Sequence, residues 1–285
     1  MTLFALILVF LAAFCHASWN FLVKRINGGP ELVWLISILS VVIYFPAILY
    51  VLIADMPHIG LKEFGFLIVS SILHTGYFHL LQKGYAKGDL SLVYPIARST
   101  GPLISTCFAV LFLNEHMTFQ IAVGGGIIIF GVLSLTGGFK QKMRHALPSL
   151  LFGIAAGLFI GSYTVWDAYV VSVLMVSPII LDYVSNIFRS IFLSPLAFSR
   201  KHLIKKYWND HRKDVFLIGF LSPLAYILVL YAFTFTPVVY IAPARETSVL
   251  ITVLMGSIIL GEGDLKRRLS WSTVILSGVI LLATA

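Results

Sequence analysis

Ten apolar runs, each near the ~20 residues an α-helix needs to cross ~30 Å of hydrocarbon, decide what this chain can fold into. They lie at 2–23, 31–54, 64–84, 90–113, 119–138, 147–170, 177–198, 214–236, 238–260 and 270–285, and are called spans 1 to 10. Lipid offers no partner to bare backbone groups, so runs of this length satisfy their own N–H and C=O groups as helices. A barrel would alternate apolar and polar residues with period 2, and these runs do not. Charged residues make up 11% of the chain, where a soluble domain carries about 25%. The sequence therefore specifies an all-α polytopic membrane protein.

The charge that remains sits in the loops. Those after spans 1, 3, 5, 7 and 9 hold Lys24, Arg25, Lys83, Lys87, Lys140, Lys142, Arg144 and the clusters at 200–213 and 266–268, whereas those after spans 2, 4, 6 and 8 hold only Lys62. The positive-inside rule places the odd loops in the cytoplasm and both termini on the non-cytoplasmic side. The net charge of +8 is thus a topology signal and implies no nucleic acid. No basic residue precedes span 1 and Lys24-Arg25 follows it, the charge order of a retained span rather than a cleaved signal. Cys15 and Cys107 both fall inside apolar spans, where thiols serve as packing residues. The loop at 199–213, with Tyr207 and Trp208 among its charges, is expected to be solvated or to lie on the membrane surface as a short amphipathic piece.

One segment occurs twice. Tyr94 to Glu115 and Tyr240 to Glu262 align when Ala97 is set against Ala244, which matches Arg98 with Arg245, Thr100 with Thr247, Leu113 with Leu260 and Glu115 with Glu262. The basic loops follow spans 1 and 3 in the first half, but 7 and 9 in the second. A five-span unit duplicated in tandem inserts upside down, and this reversal is what it needs. The expected organisation is ten transmembrane helices as two inverted five-helix repeats, 1–140 and 141–285, divided at the basic stretch Lys140 to His145.

These paired segments resemble the drug/metabolite transporter superfamily, of the EamA type with ten helices. Each ends a span in Leu-x-Glu (Leu113-Asn114-Glu115, Leu260-Gly261-Glu262) ahead of a glycine-bearing last helix, with Gly124-Gly125-Gly126 and Gly131 in one copy and Gly278 in the other. The resemblance implies a central cavity lined mainly by helices 1, 3, 4, 6, 8 and 9, with 5 and 10 peripheral, and export or exchange of small metabolites or drugs. Four-helix relatives couple protons through a glutamate in helix 1. This chain has no acidic residue there, so that mechanism does not transfer.

Polar residues within the spans are the candidate substrate-binding residues, because a guanidinium in hydrocarbon costs at least ~2.5 kcal/mol and must face a cavity or a partner. Arg98 and Arg245 enter from opposite sides at similar depth, so one is expected toward each mouth of a single cavity, where the pair would hold a carboxylate or phosphate. Tyr94 opens the first copy. Pro95 and Pro243 precede the arginines and can bend each helix beside the site. The bland alternative is a structural salt bridge, Arg245 with Glu246 or with Asp167. Span 1 carries His16, Trp19 and Asn20, and His16 could couple transport to protons or merely be hydrogen-bonded. Span 3 offers His74 and Tyr77. In span 6, Gly153, Gly157 and Gly161 let another helix approach closely, while Tyr163 and Asp167 point roughly the opposite way, with Asp167 near the outer end. Asp182, Asn186 and Arg189 form a stripe on span 7 that reads as interhelical glue, and Glu115 and Glu262 read as caps or loop pins.

The function expected is transport of a small metabolite, anionic or zwitterionic such as an amino acid, by alternating access in a cell inner membrane, as an exporter or exchanger. The alternative is proton-coupled efflux of cationic or aromatic drugs through Asp167 and Glu246. A membrane enzyme acting on a lipid-linked phosphate is a remote third, because no D-D-x-x-D, H-E-x-x-H or G-x-S-x-G occurs. No catalytic residue, metal or cofactor is expected. The partners are the small-molecule substrate and the bilayer, and a homodimer is compatible with the sequence.

Overall fold

The computed structural model describes residues 1–26, 28–55, 59–87, 90–136, 146–260 and 265–285, and among them every regular element is an α-helix. The first seven follow the predicted spans: α1 (Leu3–Ile26), α2 (Pro30–Ala54), α3 (Leu61–Lys87), α4 (Leu90–Phe112), α5 (Phe119–Thr136), α6 (Ala146–Ser172) and α7 (Pro178–Ser199). Six described helices are long and apolar enough to cross a membrane by length and composition. Large apolar side chains point outward, with Leu61 93%, Phe119 86% and Leu3 73% exposed, while Arg98, Asp167, Asp182, Asn186 and Glu246 are buried. That inversion of the soluble pattern is stable only where the surrounding solvent is lipid. Cys15 is buried as expected, but Cys107 is exposed on α4.

Two predicted boundaries are corrected. The 199–213 segment is neither a solvated loop nor a separate piece, because α8 (Lys201–Phe233) runs through it and bends at His211 (φ −135°, ψ 25°) into span 8. Tyr207 packs against the buried cluster that Phe21, Leu22 and Ile26 form with Leu32, Ile36, Val215 and Ile218. Span 9 is split into α9 (Val238–Ala244) and α10 (Thr247–Leu260), and α11 (Leu265–Thr284) is span 10. Pro243 lacks an N–H and crowds the preceding turn, so the chain tightens through i→i+3 bonds from Glu246 N–H to the Pro243 carbonyl and from Ser248 N–H to the Arg245 carbonyl. The Thr247 hydroxyl donates to the Ala244 carbonyl at 2.8 Å, satisfying an acceptor at the break. The first copy behaves differently, since α4 continues unbroken through Pro95 and Arg98.

Helix pairing follows a two-fold rule. Spans 1 to 5 correspond to 6 to 10, and the packing of α1 on α8 has its counterpart in α6 on α3, α4 on α6 in α10 on α1, and α2 on α8 in α7 on α3, while α2 with α7 and α5 with α11 map onto themselves. A duplicated unit packed against its inverted twin generates this pattern. Small residues allow the closest contacts. A Cβ on Gly153, Gly157 or Gly161 would lie 2.7, 2.6 or 2.5 Å from Ile96, Thr100 or Ile104 of α4, so the helix that the G-x-x-x-G spacing admits is α4 itself.

The end of the bundle away from the basic loops is pinned by Glu115, whose carboxylate accepts the N–H groups of Val238 (2.8 Å) and Val239 (2.9 Å) at the start of α9. The expectation of a loop pin holds for Glu115; Glu262 and the 140–145 boundary lie outside the described residues. Burial pushes the Glu115 carboxyl up from its ordinary value, and the two N–H donors hold it down against that. Glu115→Ala is expected to cost about 1–2 kcal/mol, the loss of a good helix cap, read as a lower melting temperature of the purified protein.

Candidate functional site

A cavity of about 400 Å³ opens between the two halves, running from His74, Tyr163 and Tyr226 toward Gly28 and Gly29 at the loop between α1 and α2. Its walls come from α1, α3, α4, α6, α8 and the α9–α10 region, and none of the described lining comes from α5 or α11. The predicted lining is extended by α2 and α7, which contribute Val33, Ile36 and Ser37, and Asp182, Ser185, Asn186 and Arg189. Beside the basic-loop end, two ion pairs join the halves: Arg25 of α1 with Asp214 of α8, and Glu31 of α2 with Arg200 at 2.6 Å.

The two arginines are not at separate mouths. Arg98 Nη2 lies 3.1 Å from Glu246 Oε2 and donates to Ser248 Oγ at 3.2 Å, so it reaches the residue next to Arg245. The break between α9 and α10 causes this, because it turns Glu246 and Ser248 toward α4. Arg245 also lines the cavity, and its Nη1 has no hydrogen-bond partner among the described residues. Neither structural pairing anticipated for Arg245 occurs among the described residues, since Glu246 pairs with Arg98, and Asp167 with His74. The repeat explains the imbalance. The alignment that sets Arg98 on Arg245 sets Ser99 on Glu246, so two arginines share one adjacent glutamate.

Asp167 is not near a solvated end. It is fully buried, it does not line the cavity, and it stands behind two residues that do. His74 Nε2 lies 2.9 Å from its Oδ2 and the Tyr226 hydroxyl donates to the same oxygen at 2.5 Å. The His74 ring stacks on Tyr163 with centroids 4.0 Å apart, and Tyr77 meets Tyr163 edge-on at 6.0 Å. Of the predicted residues, His16, Trp19, Asn20, His74, Tyr77, Arg98, Tyr163 and Arg245 are brought to one cavity. Glu246, like Asp167, is held behind its wall. The Tyr94 side chain lies outside the described residues.

Within α1, Asn20 donates to the His16 carbonyl at 2.7 Å and the His16 ring meets Trp19 edge-on at 5.0 Å, with the indole Nε1 buried and lacking a hydrogen-bond partner among the described residues. The α7 stripe is self-bonded as expected, with Asn186 Nδ2 donating to Asp182 Oδ2 at 2.9 Å and Arg189 Nη1 to Asn186 Oδ1 at 3.3 Å. It is also part of the cavity wall, which its reading as glue missed. Tyr226 and Ser248 were missed too. Tyr226 is one aromatic among many in an apolar span, with no spacing to single it out.

The model of the EamA-like transporter family matches the chain twice, over residues 3–137 and 147–285. A 137-residue stretch, 46% of this chain and 96% of the relative, is 28% identical to an uncharacterized protein of Methanocaldococcus jannaschii. A solved crystal structure superposes with a TM-score of 0.76 at 13% identity, covering 98% of this chain and 96% of that one, and so shares the fold. With both halves matched by the same family, the ten-span chain belongs to the EamA-like transporter family.

Proposed function

We propose that this membrane transporter carries a small anionic or zwitterionic metabolite, such as an amino acid, as an exporter or exchanger. One observation carries the choice of charge: among the described residues three guanidinium groups, Arg98, Arg189 and Arg245, line the cavity against the single carboxylate of Asp182, while Glu246 and Asp167 lie behind the wall. A carboxylate entering from the basic-loop end meets the Arg245 side chain on the cavity wall, and charge-assisted bonds to a guanidinium are among the strongest available to it. About 400 Å³ accommodates a small metabolite. Efflux of cationic drugs has less support, because the carboxylates assigned to it do not reach the cavity. The two halves, 1–140 and 141–285, rock about this site in a cell inner membrane, with the basic loops cytoplasmic and both termini outside.

Purified protein screened by thermal shift with dicarboxylates, neutral amino acids and polyamines tests this. An anion or zwitterion at about 100 times its Kd is expected to stabilise the wild type by about 2.7 kcal/mol, and Arg245→Ala is expected to lose that shift. Arg245→Ala should otherwise melt normally, since it removes none of the ion pairs among the described residues. Stabilisation by a polyamine that survives both Arg245→Ala and Arg98→Ala would overturn the assignment.

A further inference from the structure

We propose that His74, Asp167 and Tyr226 form a proton-binding site that links protonation to which end of the cavity is open. The three side chains belong to three helices, α3 in the first repeat and α6 and α8 in the second, and meet at one carboxylate oxygen. Asp167 has no exposure, and its Oδ1 has no hydrogen-bond partner among the described residues. An isolated carboxylate is costly in such surroundings. The pair is electrically neutral with one proton between His74 Nε2 and Asp167 Oδ2, as imidazolium with carboxylate or imidazole with acid. Removing that proton leaves one net negative charge in the protein interior. His74 keeps a side-chain exposure of 12% and lines the cavity, so the proton has a route to water that Asp167 alone lacks.

Other groups set the field on this site. Tyr163 of α6 stacks on the His74 ring and Tyr77 shares its helix. On the same cavity, α7 presents Asp182 and Arg189, α4 presents Arg98, the α9–α10 break presents Arg245 and α1 presents His16. The cavity thus holds more guanidinium than carboxylate charge, and an anion beside Arg245 offsets that excess next to the proton-binding pair. Proton and anion then bind together rather than in competition. The bound proton favours the arrangement in which α3 stays against α6 and α8, the one described here. Its loss favours the alternative, open at the Glu115 end.

His16, the histidine singled out in span 1 for coupling, lies on α1 beside Trp19, and the contrast makes His74 the coupling residue. The proposal rests on the transport reading, but the two fail separately, because its test uses protons and a thiol reagent and needs no substrate. Full-length protein in lipid nanodiscs, labelled with ¹⁵N-histidine, is titrated between about pH 5 and pH 8, the range where histidine changes charge. A solvent-protected Nε2–H resonance that vanishes in His74→Gln is expected in wild type, lost in Asp167→Asn and kept in Tyr226→Phe.

In parallel, Ser172→Cys, on a Cys107→Ser background, is labelled with a maleimide. Ser172 lines a small cavity beside Glu115. The nucleophile is the thiolate, whose fraction rises with pH in every variant, so the rate is taken relative to Asp167→Asn at the same pH. This ratio is expected to rise by about tenfold with pH, the population change that one pKa unit of linkage gives. Should Asp167→Asn fail to fold, His74→Gln supplies the same comparison. A ratio of wild-type to variant labelling that stays flat with pH would overturn the proposal.

Discussion

Gly157→Leu is expected to destabilise the protein by about 3 kcal/mol or more, the upper range for overpacking, and to prevent isolation of a monodisperse protein. A Cβ at this position would lie 2.6 Å from Thr100 Cβ and 3.2 Å from the Ala97 carbonyl oxygen. One obstacle is backbone. The other is a β-branched side chain with little rotameric freedom on a helix, so it cannot swing clear. Gly153 and Gly161 make equally close approaches one turn away on either side, which fixes the spacing of α4 and α6 over about two turns. Since α4 carries Arg98, forcing the helices apart would also displace the guanidinium from Glu246. Gly126→Leu is the matched control, because nothing lies within 4 Å of a Cβ there, and it should melt like wild type. If Gly157→Leu did so as well, the close α4–α6 contact would be wrong.

The features legible in the sequence were those written as a period or a duplication. Apolar length gave the spans, the sign change of the loops gave the inversion, and the G-x-x-x-G glycines gave a close helix contact. What escaped depends on the third dimension. Pro95 lies three residues before Arg98 and Pro243 two before Arg245, one position apart in the aligned copies, and one sits in an unbroken helix and the other at a break. The copies differ in the place of the proline and in the residue after each arginine, Ser99 in the first and Glu246 in the second, and only the folded chain shows that Glu246 has a partner across the bundle. Depth counted along each helix placed the arginines at opposite mouths, because counting cannot see that a break redirects Glu246 toward Arg98.

Symmetry of the fold and asymmetry of the site come from the same duplication. The alignment that pairs the arginines also sets Trp19 on Trp166 and Asn20 on Asp167. Trp19 stays on the cavity, whereas Trp166 donates its indole N–H to the Phe66 carbonyl at 3.0 Å and stacks on the Phe66 ring. Asn20 bonds its own helix, while Asp167 gathers groups from α3 and α8. Each half therefore keeps the backbone plan and uses its polar positions differently. That leaves the proposed anion-binding groups and the proposed proton site in separate places around one cavity.

Glu246→Ala is expected to destabilise the protein by about 3–5 kcal/mol, because it leaves the Arg98 charge beside the cavity without its carboxylate. Arg98 is 7% exposed and Glu246 2%, so neither charge is well solvated. The double variant Arg98→Met/Glu246→Leu removes both charges and fills the space, and should recover most of that loss, as buried ion pairs exchanged for apolar residues generally do. It should also lose anion binding, which separates stability from function in one cycle. Glu246→Gln discriminates further. It keeps an acceptor near Arg98 but removes the resident negative charge, so an incoming carboxylate no longer competes with Glu246 for the guanidinium. Affinity for a stabilising anion should then rise, by about tenfold for each 1.4 kcal/mol of competition relieved. Unchanged affinity in Glu246→Gln together with full binding in the double variant would assign Arg98 and Glu246 to structure alone and leave Arg245 as the anion site.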